Sequence, residues 1–344
     1  MRILFIANSY LNLYKPIEDE LKRRGHVVHT IFDRGFKFDP FYHTKLSSIK
    51  SNRFLWAMLS RKYWKEKIKN DRMLSDPFDM LFVLGGCSIC EFIIDYLQSL
   101  NPTIKKVLYV WDGCEYYAFD RLIPFMDKSY TFDIGDVKKD NRWRLLPIYF
   151  KIDELDFRVG KMEYDLFVVG TNHYFRYSFL KRLLPQIKDA GLNCFIKLYS
   201  GYYTVPFLKR IYHYLFLRKN AIEIQEEISF SQGKENTELL TREPIAVDVY
   251  MNVLSKSKCV IDHQSWNQKG LTARFMWALG AHKKIITTNK WVYEYPFISR
   301  QQVSVINLKE PILPVDFIKD ELKKDEESDV SLFRIDRWVD EILS

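Results

Sequence analysis

Cysteines are few in this chain of 344 residues, and long apolar runs are missing. The five cysteines are an odd number, which argues against a disulfide framework. Cys87 and Cys90 have the C-x-x-C spacing, but no second pair or flanking histidine follows nearby. We therefore expect two small residues at the start of a helix, and no zinc or redox site. No apolar run reaches the ~18 residues of a transmembrane helix.

Motifs of nucleotide-phosphate loops and of metal enzymes are also missing. Gly85-Gly86 follows an apolar segment but lacks the G-x-G-x-x-G spacing of dinucleotide-binding folds, and no P-loop occurs elsewhere. The motifs H-E-x-x-H, G-x-S-x-G and D-x-D do not occur. We therefore expect an activity that needs neither a metal nor a cofactor.

The chain is basic and rich in aromatic residues, with a net charge of +8 and 16% aromatics. Basic and aromatic residues interleave at positions 61–67 and 207–219. Such surfaces suit an anionic membrane surface, a phosphorylated substrate or nucleic acid, although each cluster is also typical of a solvated helix face above a core stripe. No nucleic-acid motif accompanies them, so nucleic acid is not an expected partner. The apolar part of Met1–Asn8 is too short for a signal peptide, so we expect a cytoplasmic protein. The basic-aromatic clusters predict a peripheral position at the inner face of the cell membrane.

Strands alternate with helices along the chain, and this pattern predicts parallel sheets. In the first half, Gly25 ends a predicted helix, and the predicted strands are 2–7, 26–32, 79–84, 106–111 and 129–132. The pattern restarts near residue 164, with strands at 165–171, 193–198, 227–230, 258–261 and 284–286. The last predicted element is an amphipathic helix at 330–343.

The length suits two domains, each with its own core. We predict an α/β protein of two Rossmann-like domains that face each other across a cleft. The predicted bounds are 1–158 for an acceptor-binding domain and 159–325 for a donor-binding domain. Residues 326–344 are predicted as a C-terminal helix, a candidate for packing back toward the first domain.

The segment 258–289 combines two strands, a polar loop and a helix start. The helix is predicted to begin at Leu271-Thr272, and the second strand ends in the polar tail Thr287-Thr288-Asn289. Unpaired loop amides and the positive end of the helix dipole would meet at one point, which suits a phosphate. Arg274 lies in the first turn, where the dipole disfavours a cation. An anionic ligand is the favoured explanation, and a helix-surface salt bridge is the alternative.

Short segments in both halves resemble one enzyme family in their order and spacing. They are 108–113, 130–136 and 146–150 in the first half, and 167–171 with Arg176, 255–258, 270–274 and 283–289 in the second. On these segments the chain resembles bacterial glycosyltransferases of the two-Rossmann (GT-B) type that build lipopolysaccharide and capsule. The resemblance implies an activated sugar-phosphate donor, usually a nucleotide sugar, in the second domain. It implies a glycan or lipid-linked acceptor in the first.

The resemblance and the residue chemistry together suggest two sets of binding residues. His263 is a candidate for a donor phosphate or sugar hydroxyl, with a hydrogen bond to Asp262 as the alternative. Trp277 stands where related sequences often carry a ribose-binding Glu, which leaves room for a CMP-sugar or a non-nucleotide phosphosugar donor. Trp277 then either stacks on a base or packs in the core. The donor candidates are Gly170, Thr171, Arg176, Lys197, His263, Gln268, Gly270, Leu271, Thr272, Arg274, Thr288 and Asn289, and the acceptor candidates are Asn8, Gly85 and Gly86.

A general base is the remaining requirement if the enzyme inverts the sugar's configuration. Asp112 follows a predicted strand, so base and turn residue are both open for it. Glu115, Asp133 and Asp136 are alternatives, and the last two also suit helix capping. A retaining enzyme could use the donor phosphate as the proton acceptor instead.

The sequence thus predicts a glycosyltransferase of surface-polysaccharide assembly, which includes lipopolysaccharide, O-antigen and capsule. One alternative is a sugar-phosphate enzyme of the same fold, such as an epimerase or a phosphoribosyl-type transferase. The other is a non-catalytic nucleotide-sugar-binding module.

Overall fold

Two six-stranded sheets, formed from parallel strands throughout, make up the two halves of the described chain. The structure is a computed structural model. It describes residues 1–9, 12–33, 50–114, 117–151, 161–172, 176–199, 207–216, 239–264 and 268–344, with side chains omitted at 50–56, 209 and 213. The predicted α/β fold with two Rossmann-like units is confirmed.

The first sheet has the strand order β2-β1-β3-β4-β5-β6. The order reverses between β1 and β3, which are neighbours in the sheet although β2 separates them in the chain. In open α/β sheets, ligands bind at such a reversal, outside the carboxyl ends of the strands. The strands are β1 (Arg2–Ala7), β2 (Val27–Phe32), β3 (Met80–Leu84), β4 (Lys105–Val110), β5 (Lys128–Thr131) and β6 (Arg144–Leu145).

The second sheet has the order β12-β11-β10-β7-β8-β9, and its reversal lies between β7 and β10. This arrangement matches the strand order of dinucleotide-binding folds. Its strands are β7 (Tyr164–Thr171), β8 (Cys194–Tyr199), β9 (Leu240–Thr241), β10 (Ser257–Asp262), β11 (Lys284–Thr287) and β12 (Val303–Val305). The proposed boundary between 158 and 159 and the predicted strand 227–230 lie outside the described residues.

Helices and 3-10 turns connect the strands. α1 starts with a proline in its first turn and ends before Gly25, whose φ of +81° suits glycine. In the part of the chain that the structure describes, no helix combines the length and apolar character needed to cross a bilayer. The helices are α1 (Lys15–Arg23), α2 (Lys50–Asn70), α3 (Glu91–Leu100), α4 (Ile134–Lys139), α5 (Arg176–Asp189), α6 (Phe207–Phe216), α7 (Val247–Ser255), α8 (Ala273–Gly280), α9 (Val315–Lys319) and α10 (Ile335–Leu343).

The C-terminal helix is shorter than the sequence predicts. The sequence predicts a helix over 330–343, but α10 begins at Ile335, after a 3-10 turn at Ser331–Phe333. The reason is a backbone pairing with Phe150: its N–H donates to the Phe333 carbonyl at 3.0 Å, and its carbonyl accepts from Ile335 at 2.9 Å. This pairing keeps Arg334 extended, with φ −62° and ψ 141°, so the helix starts one residue later.

α10 completes the core of the first sheet. Trp338 is fully buried, and its ring meets those of Tyr109 and Tyr149 edge-on, with centroids 4.8 and 5.6 Å away. Its indole N–H donates to the Pro147 carbonyl at 3.0 Å, so the polar end of the ring is satisfied. At the rim of the helix, Lys105 donates to the Leu343 carbonyl at 2.7 Å.

We expect Trp338→Ala to lower the free energy of unfolding by about 3–5 kcal/mol, since it empties a large site in a close-packed core. Chemical denaturation of both variants measures the loss. Leu332→Ala is the matched control, because that side chain is 68% exposed and its loss should change stability by no more than ~0.5 kcal/mol. Equal stabilities for the two variants would contradict the role given to Trp338.

Candidate functional site

The strand reversal of the second sheet carries two arginines that meet at one glycine. Arg176, at the start of α5, is buried; it donates to the Thr171 carbonyl and, at 3.1 Å, to the His263 carbonyl. Arg274 in α8 approaches the same place and donates to the Val169 carbonyl. A Cβ at Gly170 would come 2.8 Å from Nη1 of Arg176 and closer still to Nη1 of Arg274. Any larger residue at Gly170 would therefore push both guanidinium groups aside.

Arg274 has an internal anionic partner. Its Nε donates to Oδ1 of the buried Asp262 at 3.0 Å, and the Thr272 hydroxyl donates to the same oxygen at 2.9 Å. The structure therefore shows the salt-bridge alternative for Arg274, although the pair lies largely inside the protein and not on a helix surface. Two guanidinium groups and one carboxylate therefore lie together at the reversal.

The start of α8 offers free amides beside this cluster. Thr272 is the N-cap: its hydroxyl accepts from the Phe275 N–H at 3.1 Å. Among the residues that the structure describes, none accepts a hydrogen bond from the Ala273 or Arg274 amide. Because the positive end of the helix dipole is at the same point, the start of α8 suits a phosphate oxygen.

The loop before α8 is held from both sides. The side-chain amide of Gln264 donates to the Gly270 carbonyl at 2.9 Å, and its backbone N–H donates to the Thr288 hydroxyl at 3.2 Å. The Asn289 side chain donates to the Lys269 carbonyl at 3.2 Å and accepts from Trp291 at 2.9 Å. The sequence predicts that Thr288 and Asn289 bind the sugar donor. In the structure their side chains instead form hydrogen bonds that order the loop.

The remaining donor candidates lie around this loop or one strand away. Lys197 is opposite Val169 in β8, so it is displaced by one strand from the reversal. Trp277 is partly exposed and packs edge-on against Tyr250, with ring centroids 5.6 Å apart. Gln268 is partly exposed and Leu271 is buried in the core.

The two units touch at the same loop. The Lys269 amide donates to Oδ2 of Asp133 at 2.8 Å, and Oδ1 of Asp133 caps α4 through the Gly135 amide at 2.7 Å. The Tyr295 hydroxyl donates to the Phe132 carbonyl at 3.2 Å. These contacts bring the carboxyl end of β5 against the loop that precedes α8.

Asp112 is the acidic candidate that follows β4. None of the described residues donates a hydrogen bond to that carboxylate, and burial raises its pKa to about 6. Gly113, the next residue, lies against Asp133, so Asp112 is close to the contact between the units. A carboxylate with a pKa near the working pH suits a general base.

Asp136 has a structural role in comparison. It accepts from the Cys114 amide at 3.0 Å and from the Thr131 hydroxyl at 2.9 Å. Burial, and secondly the charge of Asp133, raise its pKa to about 6. Glu115 lies outside the described residues. Nowhere in the described ranges do three or more His, Cys, Asp or Glu side chains form a metal-binding group.

On the acceptor side, the predicted glycine loop holds a carboxylate of the chain itself. The amides of Gly86, Cys87 and Ser88 donate to Asp33 at 2.8, 2.6 and 2.8 Å. Gly85 and Gly86 have φ values of +99° and +108°, which favour glycine. Asp33 was not among the predicted site residues. Its only sequence signal is its place just after β2, while Asn8 lies partly exposed just after β1.

The comparisons with known proteins give a fold and no family. No protein-family model matches the chain, and no curated protein matches it in sequence. The catalytic domain of starch synthase IV from Arabidopsis thaliana, bound to ADP and acarbose, is similar with a TM-score of 0.51 and 8% identity, over 98% of this chain and 94% of that one. Anabaena Alr3699/HepE, in complex with UDP and glucose, has a TM-score of 0.50 and 10% identity, over 100% and 99%.

A UDP-GlcNAc 2-epimerase from Methanocaldococcus jannaschii has a TM-score of 0.48 and 9% identity, over 99% of this chain and 98% of that one. At the 8% and 10% identity of the starch synthase and Alr3699/HepE, the similarity shows the architecture alone. The chain therefore has the two-unit α/β fold of GT-B proteins.

Proposed function

We propose that this protein is a glycosyltransferase that moves a sugar from an activated phosphate donor, a nucleotide sugar, to a hydroxyl group of a glycan or lipid-linked acceptor. The acceptor would belong to lipopolysaccharide, O-antigen or capsule assembly. The proposal is carried by one observation: the free amides at the start of α8 lie beside the guanidinium groups of Arg176 and Arg274 at the strand reversal of the second sheet. That combination attracts the phosphate of a donor.

In this proposal the two units have different tasks. The second unit binds the donor phosphate through α8, with Arg176 and Arg274 supplying positive charge from behind Gly170. The first unit presents Asp112, which accepts the proton of the attacking hydroxyl. The Asp133–Lys269 contact links the loops that carry the two functions.

The main alternative is a sugar-phosphate enzyme of the same fold, and the second is a binding module without turnover. Incubation with UDP-, GDP-, dTDP- and CMP-sugars, with and without a glycan or lipid-linked acceptor, separates the three. Transfer to an acceptor is the expected result. Conversion of a donor at the same rate without acceptor would favour the alternative enzyme, and donor binding with no turnover would favour the module.

We expect Asp112→Asn to lower turnover at least ~100-fold with the donor affinity kept, since it removes only the proton acceptor. The pH profile provides a second readout. A carboxyl whose pKa is raised to about 6 is increasingly protonated as the pH falls below 6, so wild-type kcat/KM should fall with pH in that range. Initial rates between pH 5 and 8 would show this step, on the order of tenfold per pH unit below 6.

Asp120→Asn is the matched control for Asp112→Asn, because it removes the same charge from an exposed position nearby. It should keep both the rate and the pH profile. Turnover of the Asp112→Asn variant at the wild-type rate would remove Asp112 from the reaction.

We expect Arg274→Ala to lower transfer at least ~10-fold, because it leaves the Asp262 carboxylate uncompensated next to the donor phosphate. The double variant Asp262→Asn/Arg274→Ala should recover part of the donor affinity, since the repulsive charge is then gone. Donor KM values for the single and double variants measure this. Wild-type values of KM and kcat for the Arg274→Ala variant would refute the assignment of the donor site.

An anionic membrane surface is the proposed location of the enzyme, and α6 is the helix that supports it. Phe207, Leu208 and Phe216 are 71%, 78% and 70% exposed. These apolar side chains lie on a helix that also carries Lys209 and Arg210, a composition typical of interfacial helices.

We expect Leu208→Ser to weaken binding to vesicles of phosphatidylcholine and phosphatidylglycerol about 10-fold, because it removes one apolar side chain from the interface. Co-sedimentation measures the binding. Ile312→Ser is the matched control, since Ile312 is also 78% exposed but lies outside α6. Equal losses for the two variants would refute a specific role of α6.

A further inference from the structure

A pocket in the first unit combines a cationic rim with an apolar floor. It lies between α2, the start of α3 and the 3-10 turn Phe119–Phe125, and its volume is about 400 Å³. Arg61 and Arg121 line it together with Phe92, Leu122 and Phe125. The pocket is separate from the arginine cluster of the second unit, which belongs to the other sheet.

The pocket adjoins the Gly85-Gly86 loop. A Cβ at Gly86 would come within 2.8 Å of Cδ1 of Leu122, a residue of the pocket floor. Arg121 donates to the Ile89 carbonyl at 3.2 Å, which fixes its guanidinium beside the same loop. The pocket is therefore at the carboxyl end of β3, next to the strand reversal of the first sheet, where open α/β units bind ligands.

Two cationic side chains lie near one aromatic ring at the rim of the pocket. The Arg61 guanidinium lies 5.3 Å and the Lys65 ammonium 5.9 Å from the centroid of Phe92. The two cations are four residues apart on α2, a spacing at which like charges repel. Within the described part of the chain, no carboxylate forms an ion pair with either of them, although the acidic Glu91 also lines the pocket.

The start of α3 adds a second source of positive potential. Its N-cap residue, Cys90, makes no capping hydrogen bond through its side chain. The helix has ten residues, and its positive end points to the place where Glu91 and Phe92 line the pocket. An anion at the rim would relieve the repulsion between Arg61 and Lys65 and would also face this helix end.

We propose that this pocket binds the phosphate group of an amphiphilic ligand, with the phosphate at Arg61 and Arg121 and an apolar chain on Leu122 and Phe125. The inference deepens the proposed function and rests on it only for calling this ligand the acceptor. The acceptor is then a glycan or sugar carried on a lipid phosphate or diphosphate, and not a neutral lipid. Guanidinium groups suit this role because they donate two parallel hydrogen bonds to phosphate.

The experiment measures binding without donor or turnover, so its outcome is independent of the transfer assay. Octyl phosphate below its micelle concentration is titrated into the full chain by calorimetry, next to octyl glucoside and inorganic phosphate. We expect octyl phosphate to bind at least ~10-fold more tightly than either of the other two. It is the one compound of the three that has both a phosphate for the arginines and an apolar chain for the apolar residues of the pocket. Its affinity should fall as salt is added, because the rim charges are partly exposed.

Arg61→Gln should weaken octyl phosphate binding about 10-fold, the usual effect of one charge-assisted hydrogen bond. Lys69→Gln is the matched control, because it removes the same charge from an exposed position of the same helix. Arg121→Gln tests the second guanidinium, and thermal unfolding of each variant shows that the fold is retained.

Equal binding by the Arg61→Gln variant and the wild type would overturn the site. Equal affinities for inorganic phosphate and octyl phosphate would overturn the amphiphile and leave a free-phosphate site. A second experiment measures binding to vesicles of phosphatidylcholine with phosphatidic acid. If Arg61→Gln and Lys69→Gln weaken vesicle binding equally and neither changes the affinity for octyl phosphate, general attraction to an anionic surface explains the binding and the pocket does not. Specific octyl phosphate binding in a protein without transferase activity would refute the proposed function and keep the pocket.

Discussion

The geometry of the second unit depends on the hydrogen bonds that the buried Asp262 carboxylate accepts. It is the last residue of β10, and one of its oxygens accepts both the Thr272 hydroxyl and the Arg274 guanidinium. A carboxylate is stable in such a place only because these two donors compensate the loss of water. The pair fixes the start of α8 relative to β7 and β10, and this fixed start is what gives the free amides a defined direction.

The two units are linked by the same loop. Lys269 follows the polar segment after β10, and its amide is bound by Asp133 of the first unit. Asp133 also caps α4, so a shift of the loop would disturb the helix that contains Asp136. Tyr295 strengthens the connection through the Phe132 carbonyl. The loop before α8 and the acidic residues of the first unit are therefore not independent, because the Asp133 carboxylate binds both the Lys269 amide and the Gly135 amide.

The regular elements could be predicted from the sequence, because the buried strands are short apolar runs and α1 ends at a glycine. Very short elements such as β6 and β9 escaped prediction, since two residues carry no periodic signal. Side-chain partners were harder. The sequence favours Asp262 as a hydrogen-bond partner of its neighbour His263, whereas the Asp262 carboxylate binds Arg274, twelve residues later. The three amides that donate hydrogen bonds to Asp33 are more than fifty residues away along the chain, and no local pattern encodes such a contact.

The position of Trp338 has a consequence for how the chain folds during synthesis. Its indole bonds to the Pro147 carbonyl across a separation of 191 residues, and its ring fills the core between Tyr109 and Tyr149. All six strands of the first sheet leave the ribosome before this tryptophan does. Until it arrives, the aromatic residues that it covers stay open to water. The nascent first unit therefore has an exposed apolar groove while the second unit is still being translated, and this groove is a natural target for chaperones.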